Sequence, residues 1–394
     1  MVAFKGGSAV SLMRVVAVIA AGQSFVALMI GVDTPLAIVN SGAGPMVLGI
    51  AYSTWAIGRA GTGLLAGYWF DRRGPKTGLL VSFGVLAAVS FGYGLLLGPW
   101  SMVGLRLLQG ASAGVYWTSM LALVGYNVPS GHRVRRLAVF NGCVAVGGMG
   151  GAVIGGWMVA REGFRMPFWT GSLIALALGG LVLLFLPQTL TSTPRSIHPA
   201  QSPPGLSAIW PLSVVGGLSQ VPSFLSNAAL PLELLRYHLG ATALGIENAV
   251  LVLGNLMGQW TIFRHPQIIL GKLSIMVLYG MGILAVLGTT DAVSGWNMMM
   301  CLAVIGTMVN LYSVVWTAAV QQREKSNDTG RATGILRATS DTMSAASYPL
   351  IGWAEVDPVM TGVVLAGFLG SGMFYVWRFF RPGSASRWPV PREM

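Results

Sequence analysis

The chain has 394 residues, of which 54% are hydrophobic and only 9% are charged, whereas roughly 25% of the residues in an ordinary soluble domain are charged. This composition excludes a soluble enzyme. The two cysteines, Cys143 and Cys301, lie alone in apolar runs, which excludes a disulfide scaffold and a cysteine-based zinc site. The net charge of +12 does not indicate a nucleic-acid-binding protein, because the basic residues are scattered between apolar segments.

Apolar runs long enough to cross a membrane follow one another along the chain. A helix needs about 20 predominantly apolar residues to cross the hydrocarbon core. The first run is longer than the apolar region of a signal peptide and has no small-residue cleavage site, so we expect it to be retained. We predict twelve transmembrane spans, at residues 12–38, 46–69, 78–97, 101–126, 137–160, 166–187, 207–232, 241–263, 269–288, 294–319, 331–353 and 359–380.

The orientation of the spans follows from the positions of the basic residues. Most of the 24 Lys and Arg residues lie at one set of span ends, whereas only Arg161, Arg165 and Arg236 lie at the opposite set. Basic residues in short loops are retained on the cytoplasmic side of a membrane. We therefore expect a multi-pass protein of the inner, cytoplasmic membrane, with both termini in the cytoplasm.

A stretch rich in Pro, Ser and Thr, from Pro187 to Pro204, separates six predicted spans from six others and is typical of a flexible loop. At a constant offset the two halves share residues such as Tyr116 and Tyr312. Parallel six-helix halves are one known construction of transporters. We predict an all-α integral membrane protein of two pseudo-symmetric six-helix bundles, with an N-terminal bundle at 1–187, a cytoplasmic linker loop at 188–206 and a C-terminal bundle with a short cytoplasmic tail at 207–394.

The loop after the second span, from Gly67 to Lys76, has the sequence GYWFDRRGPK. It resembles the signature loop of the major facilitator superfamily, in which Gly and three further residues precede Asp-Arg, a variable residue, Gly and more basic residues. The resemblance implies the fold of that superfamily and a conformational latch formed by Gly67, Asp71, Arg72 and Gly74. Gly74 permits a positive φ in a tight turn, and Asp71 can pair with basic groups or a helix N-terminus. An ordinary basic cytoplasmic loop is the alternative interpretation.

The fourth span contains Arg106, Gln109 and Gly110 at a spacing similar to the fourth-helix pattern of the same superfamily. An Arg within the membrane needs a partner, because stranding it costs at least about 2.5–3.5 kcal/mol. Asp33 in the first span is expected at a similar outer depth and is the best candidate. In several drug-proton antiporters of the superfamily a first-helix carboxylate and this Arg act together in proton coupling, so the resemblance implies that role for Asp33 and Arg106. The alternatives are that Asp33 caps a helix end at the outer interface and that Arg106 is a structural hydrogen-bonding hub.

Glycines recur in the fifth span, in the run GGMGGAVIGG from Gly147 to Gly156. The run resembles the glycine-rich fifth-helix motif often associated with antiporters of the superfamily, although Ala152 stands where that motif has Pro. Small residues at four-residue spacing let helix backbones approach closely. Helix packing alone is therefore the alternative interpretation of these glycines.

Charged and polar residues within the spans are candidates for a substrate cavity. Arg59 is expected near the middle of the second span, and Arg337 and Asp341 share a helical face on which they can form an ion pair. Arg residues against a single Asp suit an anionic or zwitterionic substrate. Aromatic and amide side chains instead suit a sizeable amphipathic organic molecule; they are Tyr52, Trp55, Tyr116, Trp117, Asn141, Gln220, Asn227, Asn255, Asn310, Tyr312 and Trp316.

Together these features predict a secondary active transporter that moves a small organic molecule by alternating access. Proton-coupled export is the leading function, and proton-linked uptake of an organic anion is the alternative that the cavity Arg residues and the missing Pro favour. A non-transporting membrane receptor or scaffold on the same fold is the alternative of another class. We expect no enzymatic activity, because the sequence has no nucleophile–His–carboxylate or phosphate-loop pattern.

The partners follow from this function. The expected partners are the organic substrate and the lipid bilayer, without nucleic acid, and we expect a monomer. The expected energy source is the proton gradient, with neither a cofactor nor a metal.

Overall fold

The computed structural model describes residues 6–126, 133–186, 213–221, 240–264, 272–290, 295–323, 329–350 and 358–379. These residues are helical apart from short connections. Tyr348–Leu350 form a 3-10 helix, and residues 213–221 are α-helical. The other helices are α1 (Gly6–Asn40), α2 (Pro45–Gly94), α3 (Pro99–Tyr126), α4 (Arg133–Glu162), α5 (Arg165–Phe185), α6 (Ala241–Arg264), α7 (Lys272–Thr290), α8 (Gly295–Arg323), α9 (Thr329–Ser347) and α10 (Pro358–Phe379).

The predicted spans coincide with these helices. Within the described part of the chain, each span overlaps helical residues, and the second and third spans are the two parts of α2. Among the described residues, five helical segments are long and apolar enough to cross a membrane by length and composition, at Met13–Asn40, Gly74–Gly94, Val139–Glu162, Arg165–Phe185 and Ala241–Thr261. Leu273–Thr289 and Gly362–Arg378 are shorter apolar helices. The predicted positions of the helices are therefore confirmed within the described residues, whereas residues 207–212 and 222–232 of the seventh span lie outside them.

The break inside α2 lies at Gly74, where φ is 76° and ψ is 162°. This backbone conformation is accessible almost only to Gly. Pro75 follows, and Pro is favoured in the first turn of a helix because its missing N–H would have no partner there. Gly74 and Pro75 therefore separate the second span from the third, and the positive φ predicted at Gly74 is confirmed.

The described residues form two compact units. The first unit contains the described residues up to 186 together with 240–249, and the second contains 213–221 and the described residues from 250 onward. The start of α6 thus belongs to the first unit and its remainder to the second. The predicted bundle boundaries stay a prediction.

Within the first unit, α2 packs along α3 and α1 along α4, while α5 contacts α1 and α2. Glycines bring the paired backbones together. A Cβ added at Gly110 would overlap the carbonyl oxygen of Trp55, and one added at Gly147 would overlap that of Ala21. Helices associate in lipid through such close packing, because burying an apolar side chain between helices gives little free energy when lipid tails are equally apolar.

Hydroxyl groups join α2 to α3 within the first unit. Thr54 Oγ1 donates a hydrogen bond to the Val103 carbonyl at 3.3 Å, and Thr62 Oγ1 donates to the Ala111 carbonyl at 2.9 Å. Both hydroxyl groups also contact carbonyls of their own helix. These bonds fix the rotation of α2 relative to α3 and so set which of its side chains face away from α3.

Within the second unit, α7 packs against α8 and α10, and α8 contacts α9. The centre of this packing is aromatic. The rings of Tyr279 on α7 and Tyr312 on α8 are stacked with 4.5 Å between their centroids, and Trp316 is fully buried beside them. Aromatic side chains bury a large area in a fixed geometry, which explains why they form the core of this unit.

Candidate functional site

Asp33 is a buried carboxylate in the first unit and lies within α1, which continues to Asn40. Its side chain is fully buried, and both carboxylate oxygens lack a hydrogen-bond partner among the described residues. The alternative that Asp33 caps a helix end at the outer interface is therefore wrong. The neighbouring hydroxyl of Thr34 is satisfied within the helix, because it donates to the Ile30 carbonyl at 2.7 Å.

Arg106 on α3 is buried as well, and its guanidinium joins three helices. Nη1 donates to Oε1 of Gln109 at 3.1 Å, and Nη2 donates to the carbonyl oxygen of Gly31 on α1 at 3.4 Å. Cζ lies 5.1 Å from the ring centroid of Tyr52 on α2, within the range of a cation–π interaction. Oε1 of Gln109 also accepts a hydrogen bond from the Tyr93 hydroxyl at 3.0 Å. These contacts are those of a hydrogen-bonding hub.

The predicted direct pairing of Asp33 with Arg106 is absent from the hydrogen bonds of the described residues, and this corrects the sequence-based expectation. Arg106 donates to Gly31 and Gln109 instead. The two residues do lie in one region, because Gly31 is two positions before Asp33 on α1. The carboxylate is directed at α4, where a Cβ added at Gly155 would lie 3.0 Å from Oδ2 of Asp33. Asp33 and Arg106 therefore lie near each other in the first unit without the direct contact that was expected.

Three half-buried residues, Tyr52, Trp55 and Arg59, follow one another along one face of α2. Cζ of Arg59 lies 4.4 Å from the ring centroid of Trp55. Together with Arg106 over Tyr52, this forms two neighbouring pairs of a guanidinium and an aromatic ring. A guanidinium recognises carboxylates through a planar fork of donors, and the ring beside it can contact an apolar body. This face of α2 can therefore recognise an organic anion.

Two aromatic residues predicted for the cavity contribute to packing in the first unit. Tyr116 on α3 meets Phe83 and Trp117 edge to face, at centroid distances of 5.9 and 5.7 Å. Trp117 in turn lies 6.0 Å from Phe140 on α4. The Tyr116 hydroxyl lacks a hydrogen-bond partner among the described residues. Asn141, next to Phe140, is half-buried.

The start of α6 contacts the glycine run of α4 within the first unit. A Cβ at Gly156 would overlap the carbonyl oxygen of Ala241, and one at Gly245 would overlap that of Ala152. Glu247 follows on α6; it is buried, and its Oε2 lacks a hydrogen-bond partner among the described residues. Helix packing therefore accounts for Gly156, and Glu247 is a second buried carboxylate in this unit.

Tyr312 and Trp316 belong to a hydrogen-bonded aromatic cluster in the second unit. Trp316 Nε1 donates to the Tyr279 hydroxyl at 2.9 Å, and the Tyr312 hydroxyl donates to the Leu278 carbonyl at 2.9 Å. The Tyr279 hydroxyl also shares a hydrogen bond with Ser219. Sequence reasoning did not single out Tyr279. Its signal is a tyrosine in the middle of an apolar span, where the hydroxyl must find a partner within the protein.

Two predicted cavity amides of the second unit, Gln220 and Asn255, contact backbone carbonyls. Gln220 Nε2 donates to the Val309 carbonyl at 3.3 Å, and Asn255 Nδ2 contacts the Leu251 carbonyl at 3.5 Å. Oδ1 of Asn310 is buried without a hydrogen-bond partner among the described residues. Of these three, Asn310 is the one with a buried acceptor that lacks a partner among the described residues.

The remaining candidates lie on α9 or outside the described residues. Arg337 is exposed and Asp341 is buried on α9, and their predicted ion pair stays a prediction. No group of three or more His, Cys, Asp or Glu that could hold a metal ion occurs in the described part of the chain. Outside the described residues lie Asn227 and the side chains of the latch positions Gly67, Asp71 and Arg72.

The comparisons with known sequences give one family. A profile of the Major Facilitator Superfamily matches residues 15–380. The chain is 25% identical over 281 residues to an uncharacterised MFS-type transporter of Escherichia coli, YcaD, and this match covers 70% of the chain and 72% of YcaD. It is 26% identical over 162 residues to the gallate transporter of Pseudomonas putida, a match that covers 41% of the chain and 36% of that transporter. The chain thus spans little more than a third of the gallate transporter's length.

Solved structures of transporters have a similar fold. A mutant of the nucleoside transporter NupG superposes with a TM-score of 0.73 at 12% identity, covering 94% of this chain and 100% of that one. A bacterial homologue of the human lysosomal transporter Spinster superposes with a TM-score of 0.72 at 12% identity, covering 95% and 97%. The predicted fold class, an all-α integral membrane protein with two six-helix bundles, is confirmed.

Proposed function

The chain belongs to the major facilitator superfamily, and on this premise we propose that it exports a small organic molecule in exchange for protons. It is a multi-pass membrane transporter and not an enzyme. The direction and the proton coupling are the proposal. Export is favoured by the resemblance of the glycine run in α4 to the fifth-helix motif of antiporters.

The observation that supports proton coupling is the environment of Asp33. Its carboxyl group is fully buried, and neither oxygen has a hydrogen-bond partner among the described residues. Burying an unpaired ionised carboxylate is so costly that such a group takes up a proton. We propose that Asp33 is protonated in this arrangement. In the alternating-access cycle it releases the proton when water or a guanidinium reaches it.

Arg106 is the group best placed to control this release. Its Nη2 already contacts the backbone of α1 at Gly31, two residues from Asp33. A small movement of α3 relative to α1 would exchange the Gly31 carbonyl for the Asp33 carboxylate, and an opposite charge at that distance favours the ionised form. Arg106 is therefore proposed to tune the proton affinity of Asp33 during the cycle.

The proposal is tested with protein reconstituted in vesicles that contain a pH-sensitive dye. Metabolites and drugs are first screened for thermal stabilisation of the purified protein, because a ligand of the folded state raises its stability. Each stabilising compound is then loaded into vesicles. We expect its efflux to be accompanied by proton uptake into the lumen. Efflux that leaves the internal pH unchanged would contradict proton exchange.

Proton-linked uptake of an organic anion is the second candidate, and the guanidinium–aromatic pairs on α2 favour it. Arg59 lies over Trp55, and Arg106 lies over Tyr52. The relative from Pseudomonas putida transports gallate, which is itself an aromatic carboxylate. We therefore propose that the transported molecule carries a carboxylate, whether the protein exports it or takes it up.

Benzoate is expected to stabilise the purified protein against heat more than cyclohexanecarboxylate, which lacks the aromatic ring, or benzylamine, which lacks the carboxylate. A ligand at 100 times its Kd adds about 2.7 kcal/mol to the free energy of unfolding. Arg59→Gln should remove the benzoate effect, whereas Arg161→Gln, whose guanidinium lies 5.1 Å from the exposed Trp157, should retain it. Equal stabilisation of both variants would exclude Arg59 from anion recognition.

The remaining sequence-based expectations complete the proposal. We propose that the protein resides as a monomer in the inner membrane, with both termini and the 188–206 loop in the cytoplasm, and that it uses the proton gradient without a cofactor. The break at Gly74 supports a tight turn at the proposed latch. Asp71 and Arg72 are proposed to hold one conformation of the cycle through that turn.

A further inference from the structure

The glycines of α4 that face α1 have different neighbours. A Cβ added at Gly147 would overlap the carbonyl oxygen of Ala21, and one added at Gly151 would overlap that of Phe25. These two positions bring the helix backbones together. At Gly155 a carboxylate is among the nearest atoms, because a Cβ would lie 2.9 Å from Cγ of Met29, 3.0 Å from Oδ2 of Asp33 and 3.1 Å from Cα of Met29.

The space beside Gly155 is therefore occupied by a carboxylate. Contacts this short to a real Cβ are rare, so a side chain at position 155 would require both Met29 and Asp33 to shift. Asp33 occupies this space without a hydrogen-bond partner among the described residues. Arg106 is meanwhile bonded to Gly31 and Gln109.

We infer that Gly155 is a positioning residue for Asp33: the missing side chain provides the space in which the carboxyl group rests against α4, apart from the guanidinium of Arg106. This inference rests on the proposed role of Asp33 in proton coupling. It assigns Gly155 a task in addition to helix packing, in which the missing side chain also lets α4 approach the backbone of α1 at Met29.

The charged and titratable groups of the described helices near this position include Glu247 on α6, whose start contacts α4 beside Gly155. Arg106 comes from α3, and Tyr52 and Tyr93 on α2 contact its network. On α4 the next charged residues are Arg161 and Glu162 at its exposed end, and the charged residue of α5 is Arg165 at its start. The side chain placed at position 155 would therefore change the surface of α4 that Asp33 contacts.

Two substitutions of similar size separate these possibilities. Gly155→Ala fills the space with an apolar group, whereas Gly155→Ser fills it with a hydroxyl that can donate a hydrogen bond to Asp33. A donor favours the ionised carboxylate. Gly150→Ala is the matched control, because a Cβ there would lie 3.5 Å from the ring of Phe25, an ordinary van der Waals contact.

The experiment measures exchange of labelled benzoate as a function of pH in reconstituted vesicles, because exchange does not require the coupled step that Asp33→Asn removes. We expect the pH midpoint for Gly155→Ser to lie about one unit below that for Gly155→Ala, which is a tenfold difference in proton affinity. Gly150→Ala should retain the wild-type midpoint. In protein that also carries Asp33→Asn, the difference between Ser and Ala should vanish. Identical midpoints for Ser and Ala would overturn the inference, as would a difference that persists with Asp33→Asn.

Thermal unfolding of the purified protein tests the contact without transport. Gly155→Ala should lower Tm more in wild-type protein than in Asp33→Ala protein, where the carboxyl group no longer occupies the space. Recovery of folded Gly155→Ala protein only with Asp33→Ala would give the same support. An equal loss in both backgrounds would overturn the inference. If Asp33→Asn leaves uphill transport intact, the proposed coupling role fails while this contact test stands.

Discussion

Asp33→Asn is expected to abolish accumulation of substrate driven by a pH gradient while leaving binding and exchange of substrate intact. Asn has the shape of the protonated Asp, so the buried position beside α4 can be kept without strain. It cannot release a proton, however, and the coupled step is lost. The measurement is uphill transport in vesicles with an imposed pH gradient, compared with exchange of labelled substrate at equal pH.

Glu247→Gln is the matched control for this experiment, because Glu247 is the other buried carboxylate of the first unit with an oxygen that lacks a partner among the described residues. We expect it to retain uphill transport. If Asp33→Asn protein still accumulates substrate on a proton gradient alone, the coupling role must be assigned to Glu247 or Asp341 instead.

Arg106→Ala is expected to lower the stability of the protein as well as its transport. The substitution removes the hydrogen bonds to Gln109 and Gly31 and the cation–π contact with Tyr52. Hydrogen bonds from charged groups contribute about 1.5–3 kcal/mol each, so the two together predict a loss of about 3 kcal/mol or more in the free energy of unfolding. Denaturation of the purified protein measures this loss.

Two further variants test whether the loss of stability arises from the hydrogen-bonding geometry of the Arg106 guanidinium. Arg106→Lys keeps the charge, but a single ammonium lacks the planar fork that reaches two acceptors. We expect it to recover only part of the lost stability. Arg161→Ala removes an exposed Arg over an aromatic ring and should change stability little. If Arg106→Ala lowered the free energy of unfolding no more than Arg161→Ala, the role of Arg106 as a hydrogen-bonding hub would be contradicted.

The positions of the helices could be predicted because a transmembrane helix is formed by consecutive apolar residues, which can be read directly from the sequence. A run of apolar residues must cross the membrane as a helix to satisfy its backbone. The turn at Gly74 was also predictable, because Gly before Pro at the end of an apolar run provides the backbone conformation that a break requires. Both features depend only on residues that are adjacent in the sequence, so the sequence alone is sufficient to predict them.

The contacts of Asp33 and Arg106 could be predicted only in part. Counting residues along α1 gives the depth of Asp33, but the direction of its side chain depends on how α1 is rotated against α4. That rotation is set by glycine contacts between helices distant in sequence. Tyr279 escaped prediction for the same reason, since its importance lies in hydrogen bonds with Trp316 and Ser219 on other helical segments.

The glycine contacts between α1 and α4 and between α2 and α3 separate insertion of this protein from its assembly. Replacing Gly110, Gly147 or Gly151 with Leu would make each span more hydrophobic, so entry into the bilayer would proceed as well as before. The enlarged side chain would then keep the inserted helices apart, because the space is occupied by backbone carbonyls. Such a variant would insert into the membrane with normal topology. Its helices would then fail to pack against each other at the substituted position.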